Sequence, residues 1–158
     1  FDAVRQNWSA LRYVAEELRG DKDMVLEALA QNWRAFELAS VDLRADREVA
    51  LLAVRQCGEA LQLASEDLRK DREVVLEAIR QDWRALQYAS RELRDDKELV
   101  LEATKLSGLA LQHASEDKRA DRGLVEQAMQ QRWVATEYAV HPLYPGRDDG
   151  VNHTFWLE

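Results

Sequence analysis

The chain has 158 residues, of which 46% are apolar and 33% charged, and its formal net charge is -8. This composition is typical of a soluble, globular chain with a buried core, and the negative charge argues against nucleic acid as a partner. No apolar run approaches the roughly 20 residues that cross a bilayer, and the single cysteine, Cys57, excludes an internal disulfide. Both prolines, Pro142 and Pro145, follow residue 140, which leaves the preceding residues free to be helical.

The sequence repeats itself every 25 residues, as the tryptophans show first. Two positions of the tryptophan column hold glycine instead. An aspartate followed by Lys or Arg recurs in the same register, and so does an arginine. The three columns are Trp8, Trp33, Gly58, Trp83, Gly108 and Trp133; Asp21, Asp46, Asp71, Asp96 and Asp121; and Arg19, Arg44, Arg69, Arg94 and Arg119. Longer stretches also match at a spacing of 50 residues, so neighbouring units are not equivalent.

The unit that starts at Asp71 shows the pattern of one repeat. Asp71 is a good helix N-cap, and Val75 and Ile79 then follow at helical spacing. Ser90 is placed to cap a short final turn. The pattern predicts a helix of about ten residues, a tight turn and a second, shorter helix.

One long continuous helix is the alternative, because apolar residues step by three and four through the whole unit and 25 residues is close to seven helical turns. Against this alternative, Gly58 and Gly108 fall where a first helix should end, and each aspartate offers a new helix start.

A single unit cannot bury its own apolar face, whereas stacked units can. The sequence therefore predicts an all-α fold in which tandem 25-residue helical repeats stack as an α-solenoid-like array over residues 1–140. The first unit is incomplete, and because Phe1 enters it in the middle of a helix we expect the chain to be part of a longer product. Polar replacements at Lys118 and Glu126 are typical of a capping repeat. Residues 141–158 form a tail without the repeat.

The run "DREVVLEAIRQDWRALQYASRELRDDKELVLEATKLSGLALQHASEDKR" resembles the repeat of the domain-of-unknown-function 4116 family. The resemblance extends from Phe1 to nearly residue 139. It rests on the Asp-Lys/Arg-Glu start, the Gly-x-Ala-Leu-x-x-Ala-Ser run and the double unit of nearly 50 residues. The chain departs from the family where tryptophan stands at the glycine position in four units. The resemblance implies an all-α repeat domain of bacteria, algae and other protists, and it implies no activity.

Residues that carry catalytic or cofactor chemistry are scattered or belong to the repeat. None of the three histidines, His113, His141 and His153, has a second His or Cys at ligand spacing, so we expect no metal site. Cys57 is interpreted as a tolerated turn residue, and Gly58 and Gly108 do not form a phosphate-binding loop. We therefore expect no catalytic residue, no cofactor and no enzymatic activity.

Two repeated columns have a structural and a functional interpretation. The arginines are either a solvated ridge beside acidic neighbours or a docking ridge for an acidic partner. The tryptophans, with Gly58 and Gly108, are either structural anchors between stacked units or exposed binding residues. In the tail, Phe155, Trp156 and Leu157 are candidate partner-binding residues, because apolar side chains outside the repeat need a surface to cover them.

These observations favour a non-catalytic module that binds or scaffolds other protein subunits. A sharper hypothesis makes the chain a peripheral subunit of a large organellar, photosynthetic complex in a plastid, with membrane-bound subunits as its neighbours. The alternative is a regulatory or targeting segment of a longer protein, such as a secreted effector. An enzyme confined to these residues is the third hypothesis.

Overall fold

The computed structural model describes residues 1–131, which are mostly helical; none of them lies in a β-strand. We number the repeat units 1 to 6 from their aspartates, so that they cover 1–20, 21–45, 46–70, 71–95, 96–120 and the residues from 121 onwards. None of the helices within the described range is long and apolar enough to cross a membrane.

Each unit begins with a long helix, and the chain turns after it. The long helices are Asp2–Gln6, Lys22–Gln31, Arg47–Gln56, Arg72–Gln81, Lys97–Leu106 and Arg122–Gln131. A compact middle segment follows: 3₁₀ helices Trp8–Tyr13, Gly58–Leu63, Trp83–Tyr88 and Gly108–His113, and the α-helix Ala35–Leu38 in unit 2. Short third helices are Glu16–Arg19, Val41–Arg44, Arg91–Arg94 and Glu116–Arg119. Because every long helix ends after ten residues or fewer, a single continuous helix does not form.

Side-chain caps explain why the chain breaks where it does. Asp71 accepts hydrogen bonds from the backbone N–H groups of Glu73 and Val74, which begins the long helix of unit 4. Asp82 ends this helix with an extended backbone and then caps the 3₁₀ helix by accepting from the N–H of Arg84. Ser90 caps the third helix by accepting from the N–H of Leu93, as the sequence predicts.

The core runs through all described units as one continuous cluster of buried side chains, from Val4 to Ala128. In unit 4 the long helix contributes two valines, an alanine and Ile79, and the 3₁₀ helix contributes Ala85 and Leu86. The tryptophans within residues 1–131 do not belong to this buried set. Trp8, Trp33 and Trp83 are half-buried and pack against its edge.

The spacing between consecutive long helices alternates with the tryptophan–glycine column. After Gly58 and Gly108 the next long helix lies close, and contact between the two helices is extensive. After Trp8, Trp33 and Trp83 the contact between consecutive long helices is sparser. A Cβ atom on Gly58 would lie only 2.5 Å from the carbonyl oxygen of Ala78 in the next unit. Tryptophan at this column therefore goes with a wider gap to the next long helix, and glycine goes with a narrow one.

Candidate interaction surface

Ion pairs join the start of each long helix to the start of the next. In units 2 to 5 the second residue is a cation, and it binds the capping aspartate of the following unit. We call these pairs the aspartate ladder: Lys22–Asp46 (2.9 Å), Arg47–Asp71 (2.9 Å), Arg72–Asp96 (3.5 Å) and Lys97–Asp121 (2.7 Å). A second carboxylate, such as Glu48 or Glu98, binds the same cation at three of these junctions. At the fourth junction the equivalent position holds Gly123.

Each ladder aspartate has two roles, which Asp46 illustrates. Its Oδ1 accepts hydrogen bonds from the backbone N–H groups of Glu48 and Val49, at 2.9 and 3.1 Å. Its Oδ2 accepts from the ammonium of Lys22, and this bond lowers the pKa of the Asp46 carboxyl below its usual range. One carboxylate therefore starts its own helix and fastens the preceding unit to it.

A backbone seam joins the third segments of consecutive units. The serine that caps a third segment donates its N–H to the carbonyl of the arginine-column residue in the preceding unit. These bonds are Ser40–Arg19 (3.0 Å), Ser65–Arg44 (3.1 Å), Ser90–Arg69 (2.9 Å) and Ser115–Arg94 (3.0 Å). Their lengths do not follow the tryptophan–glycine alternation. Units are therefore joined by the same hydrogen bond at every junction along this edge.

The arginines of this seam, which we call the arginine row, project from its third segments: Arg19, Arg44, Arg69, Arg94 and Arg119. All five side chains are half-buried, and in each the Nε atom is buried without a hydrogen-bond partner. Within residues 1–131 no carboxylate lies at ion-pair distance from Arg44, Arg69 or Arg94, in contrast to the cations of the aspartate ladder. A buried unpaired N–H of a charged group is costly, and one recurs in each of units 1 to 5.

The arginine row lies beside the middle segments, where Trp83 and His113 meet. The two rings stack with centroids 5.8 Å apart, so an indole of unit 4 covers an imidazole of unit 5. The guanidinium of Arg84 lies 4.9 Å from the centre of the Trp83 ring. Burial lowers the pKa of His113, and the positive charges of Arg94 and Arg84 lower it further. This part of the surface combines cations with aromatic rings, and the Arg84 guanidinium also lies 3.4 Å from the Asp82 carboxylate.

The residues singled out in the sequence occupy different places in the fold. Gly58 and Gly108 are buried at close junctions, and the three described tryptophans lie at the outer edge of the core. Trp133, Phe155, Trp156 and Leu157 lie outside the described residues. Sequence reasoning identified the arginine column but not its unpaired state, because pairing depends on which columns become neighbours after stacking.

Two depressions on the described surface, one between units 1 and 2 and one beside Phe1, are shallow. A shallow depression of about 420 Å³ lies between units 1 and 2, where Glu16, Glu17 and Asp42 surround Ser40 without a histidine or lysine. Among residues 1–131 no group of three or more His, Cys, Asp or Glu side chains could hold a metal ion. Cys57 is a free, half-buried thiol at the end of a long helix.

Comparison with known proteins identifies the repeat. Residues 1–44, 46–94 and 96–139 each match the model of a family described as Domain of unknown function (DUF4116). Each matched segment spans two of the 25-residue units, and in the second and third segments these are the units joined by a close junction after Gly58 or Gly108. No curated protein and no solved structure shows significant similarity to the chain. Because the three segments together cover most of its residues, the chain belongs to the DUF4116 family.

Proposed function

We propose that this chain is a non-catalytic module that binds another protein, with its units stacked as an α-solenoid-like array. One observation carries the proposal: the half-buried guanidinium groups of Arg44, Arg69 and Arg94 recur in consecutive units and make no ion pair within residues 1–131. Stacking accounts for the buried side chains, the aspartate ladder and the serine seam. It does not account for a row of unpaired positive charges.

The regular ion pairing elsewhere makes the arginine row distinctive. Each aspartate-ladder cation reaches across one junction and finds a carboxylate. The arginine row crosses the same units, and among residues 1–131 no carboxylate lies at ion-pair distance from Arg44, Arg69 or Arg94. The cations of the aspartate ladder are paired within the array, whereas these three arginines are not paired within the described residues. The arginine row is therefore available to a binding partner.

A binding function also suits the shape of the described surface better than catalysis does. Its two depressions are shallow and contain no histidine or lysine, and the half-buried aromatic Trp83 lies next to cations rather than over a pocket. Arginine and tryptophan are enriched among the residues that dominate binding between proteins. A larger multi-protein assembly in which this chain is a peripheral subunit is the setting that we propose for such a surface.

Purification of the tagged protein from its native cells tests this function. We expect a partner protein to co-elute with it in a fixed ratio through size-exclusion chromatography in physiological salt. A parallel preparation carries the triple change Arg44→Gln, Arg69→Gln and Arg94→Gln. The proposal would be contradicted if the wild-type protein from freshly lysed cells elutes alone, both with and without cross-linking.

A further inference from the structure

We infer that the arginine row binds an extended acidic segment of the partner, in polyproline II conformation, with a carboxylate at every third residue. This inference rests on the proposed function and specifies the ligand of the same surface. It depends on three properties of the row: its even spacing, the fixed position of its guanidinium groups and the charges around it.

The first property is spacing. The seam hydrogen bonds from Ser65 to Arg44 and from Ser90 to Arg69 measure 3.1 and 2.9 Å, although Gly58 makes one junction close and Trp33 makes the other wide. We infer from this common bond that the arginines recur at one spacing along their edge. We take that spacing to be about 8–10 Å, the usual distance between packed helical elements.

The second property is that the guanidinium groups are held in place. The stems of Arg44, Arg69 and Arg94 are half-buried, and their Nε atoms are covered by protein. Their terminal nitrogens are neither buried nor engaged in hydrogen bonds within the described chain, so these nitrogens are available to a ligand. A fixed guanidinium loses little conformational freedom on binding, and its planar fork matches a carboxylate.

The ligand geometry follows from the spacing. A polyproline II segment rises about 3.1 Å per residue with three residues per turn, so every third side chain returns to one face after about 9 Å. In a β-strand, side chains return to the same face after two residues, or about 6.7 Å, which is shorter than the spacing of the arginines. An acidic residue at every third position of a polyproline II segment therefore meets one arginine per unit.

The surrounding charges favour a peptide over a polyphosphate chain. An acidic residue precedes each arginine by two positions, as in Asp42 before Arg44 and Asp67 before Arg69. Residues two apart on a helix do not share a face, so an exposed acidic row runs along the other side of the third segments. Together with the net charge of -8, this row repels a continuous polyanion but leaves room for isolated carboxylates.

Fluorescence anisotropy with a labelled peptide of four Glu-Pro-Pro repeats tests the inference on the full chain. The comparison peptide has the same composition, with the four glutamates adjacent in the middle. We expect the repeating peptide to bind at least about fivefold more tightly than the permuted one, because only it places one carboxylate at each arginine.

Two triple variants localise the binding. The first triple variant changes the arginine row and should weaken binding by at least about tenfold: Arg44→Gln, Arg69→Gln and Arg94→Gln. The control triple variant removes the same charge elsewhere and should change binding by less than about twofold: Arg55→Gln, Arg80→Gln and Lys105→Gln. The lysine versions of the first triple retain charge but lose the planar fork, and they should weaken binding by about threefold or more. Circular dichroism confirms that each variant remains folded, and the lysine triple decides the matter if the glutamine triple unfolds.

Three results would overturn the inference: equal binding of both peptides, equal losses in both glutamine triples, or tighter binding of poly-uridylate than of the repeating peptide. The co-purification experiment distinguishes an incorrect ligand for the arginine row from an incorrect protein-binding function. If the native partner still associates with the Arg44, Arg69 and Arg94 triple variant, the module binds proteins through another surface.

Discussion

A Cβ atom on Gly58 would lie 2.5 Å from the carbonyl oxygen of Ala78 and 3.1 Å from the amide nitrogen of Asp82. Real Cβ atoms do not approach backbone so closely, so glycine at this column permits the close junction between units 3 and 4. The tryptophan at the same column in units 2 and 4 accompanies a wider junction. Two consecutive units therefore form the structural repeat, and the family matches span the same two units.

We predict that Gly58→Ala destabilises the fold by about 1–3 kcal/mol, because the backbone of the next unit must move away from the added methyl group. Gly58→Trp should cost more. Chemical denaturation measures both changes.

The matched control for this prediction is Gly123→Ala. Gly123 lies in the exposed first turn of the last described long helix, and an added Cβ there meets only the Asp121 carboxylate, at 3.4 Å. Alanine should stabilise this helix by about 0.5–1 kcal/mol. Destabilisation by Gly123→Ala equal to that by Gly58→Ala would show that the contact with Ala78 does not set the cost.

The sequence predicted the repeat length, the helix starts and the shorter final helix of units 1, 2, 4 and 5, because each depends on local signals such as Asp71 and Ser90. It predicted a tight turn where the structure has a helical middle segment. It placed Gly58 at the end of a helix because glycine is favoured where helices end. The structure gives another reason: the chain turns at Cys57 in extended conformation, and Gly58 is needed for close approach to the next unit. That requirement involves residues 20 or more positions away, which local patterns do not report.

Asp46 offers a second prediction, since its two carboxylate oxygens have separate roles. Asp46→Ala removes both the helix cap and the ion pair and should cost about 1–2 kcal/mol. Asp46→Asn retains an oxygen for the cap but loses the charge that binds Lys22, and should cost less than about 1 kcal/mol, with the loss shrinking in high salt.

Asp21→Asn is the control for the Asp46 changes. Asp21 caps its helix through the N–H of Met24 and has no ion pair within the described residues. Asp21→Asn should therefore lose only the interaction of its charge with the helix N-terminus, about a few tenths of 1 kcal/mol at low salt, and Asp46→Asn should lose more. An equal salt-sensitive loss at the two positions would remove the ladder as the explanation for Asp46.

The lowered pKa of His113 predicts how stability depends on pH. The unfolded chain takes up a proton at this imidazole as pH falls below about 6.5, whereas the folded chain resists it until lower pH. Stability should therefore fall between pH 7 and the pKa of the folded state. In His113→Gln, denaturation curves at pH 7.0 and 5.5 should differ less than in the wild type. An unchanged difference would assign the dependence to other groups.

Trp83 provides an independent test of the same contact. Trp83→Ala removes the ring that stacks on His113, so the imidazole becomes more exposed and its pKa should rise towards its usual value. NMR titration of the imidazole protons measures this shift. Trp33→Ala is the control, since it removes an indole from unit 2 and should leave the His113 pKa unchanged. Equal titration in all three proteins would show that the stack does not bury His113.

The candidate surface was only partly predictable from sequence. The arginine column was visible as a repeat, and its use as a docking ridge for an acidic partner was one of two interpretations. Its unpaired state could not be foreseen, because Asp42 and Asp67 lie close to Arg44 and Arg69 in sequence and would suggest ion pairs. The short helices turn these carboxylates to the opposite side.

Arginine footprinting in the native complex tests the central claim most directly. Phenylglyoxal labels accessible guanidinium groups, and mass spectrometry reports the extent at each arginine in the isolated chain and in the co-purified complex. We predict that the partner protects Arg44, Arg69 and Arg94, while Arg55 and Arg80 of the same units stay as reactive as in the isolated chain. Unchanged labelling of the arginine row, with protection confined to Arg55, Arg80 or other sites, would contradict the claim that this surface binds the partner.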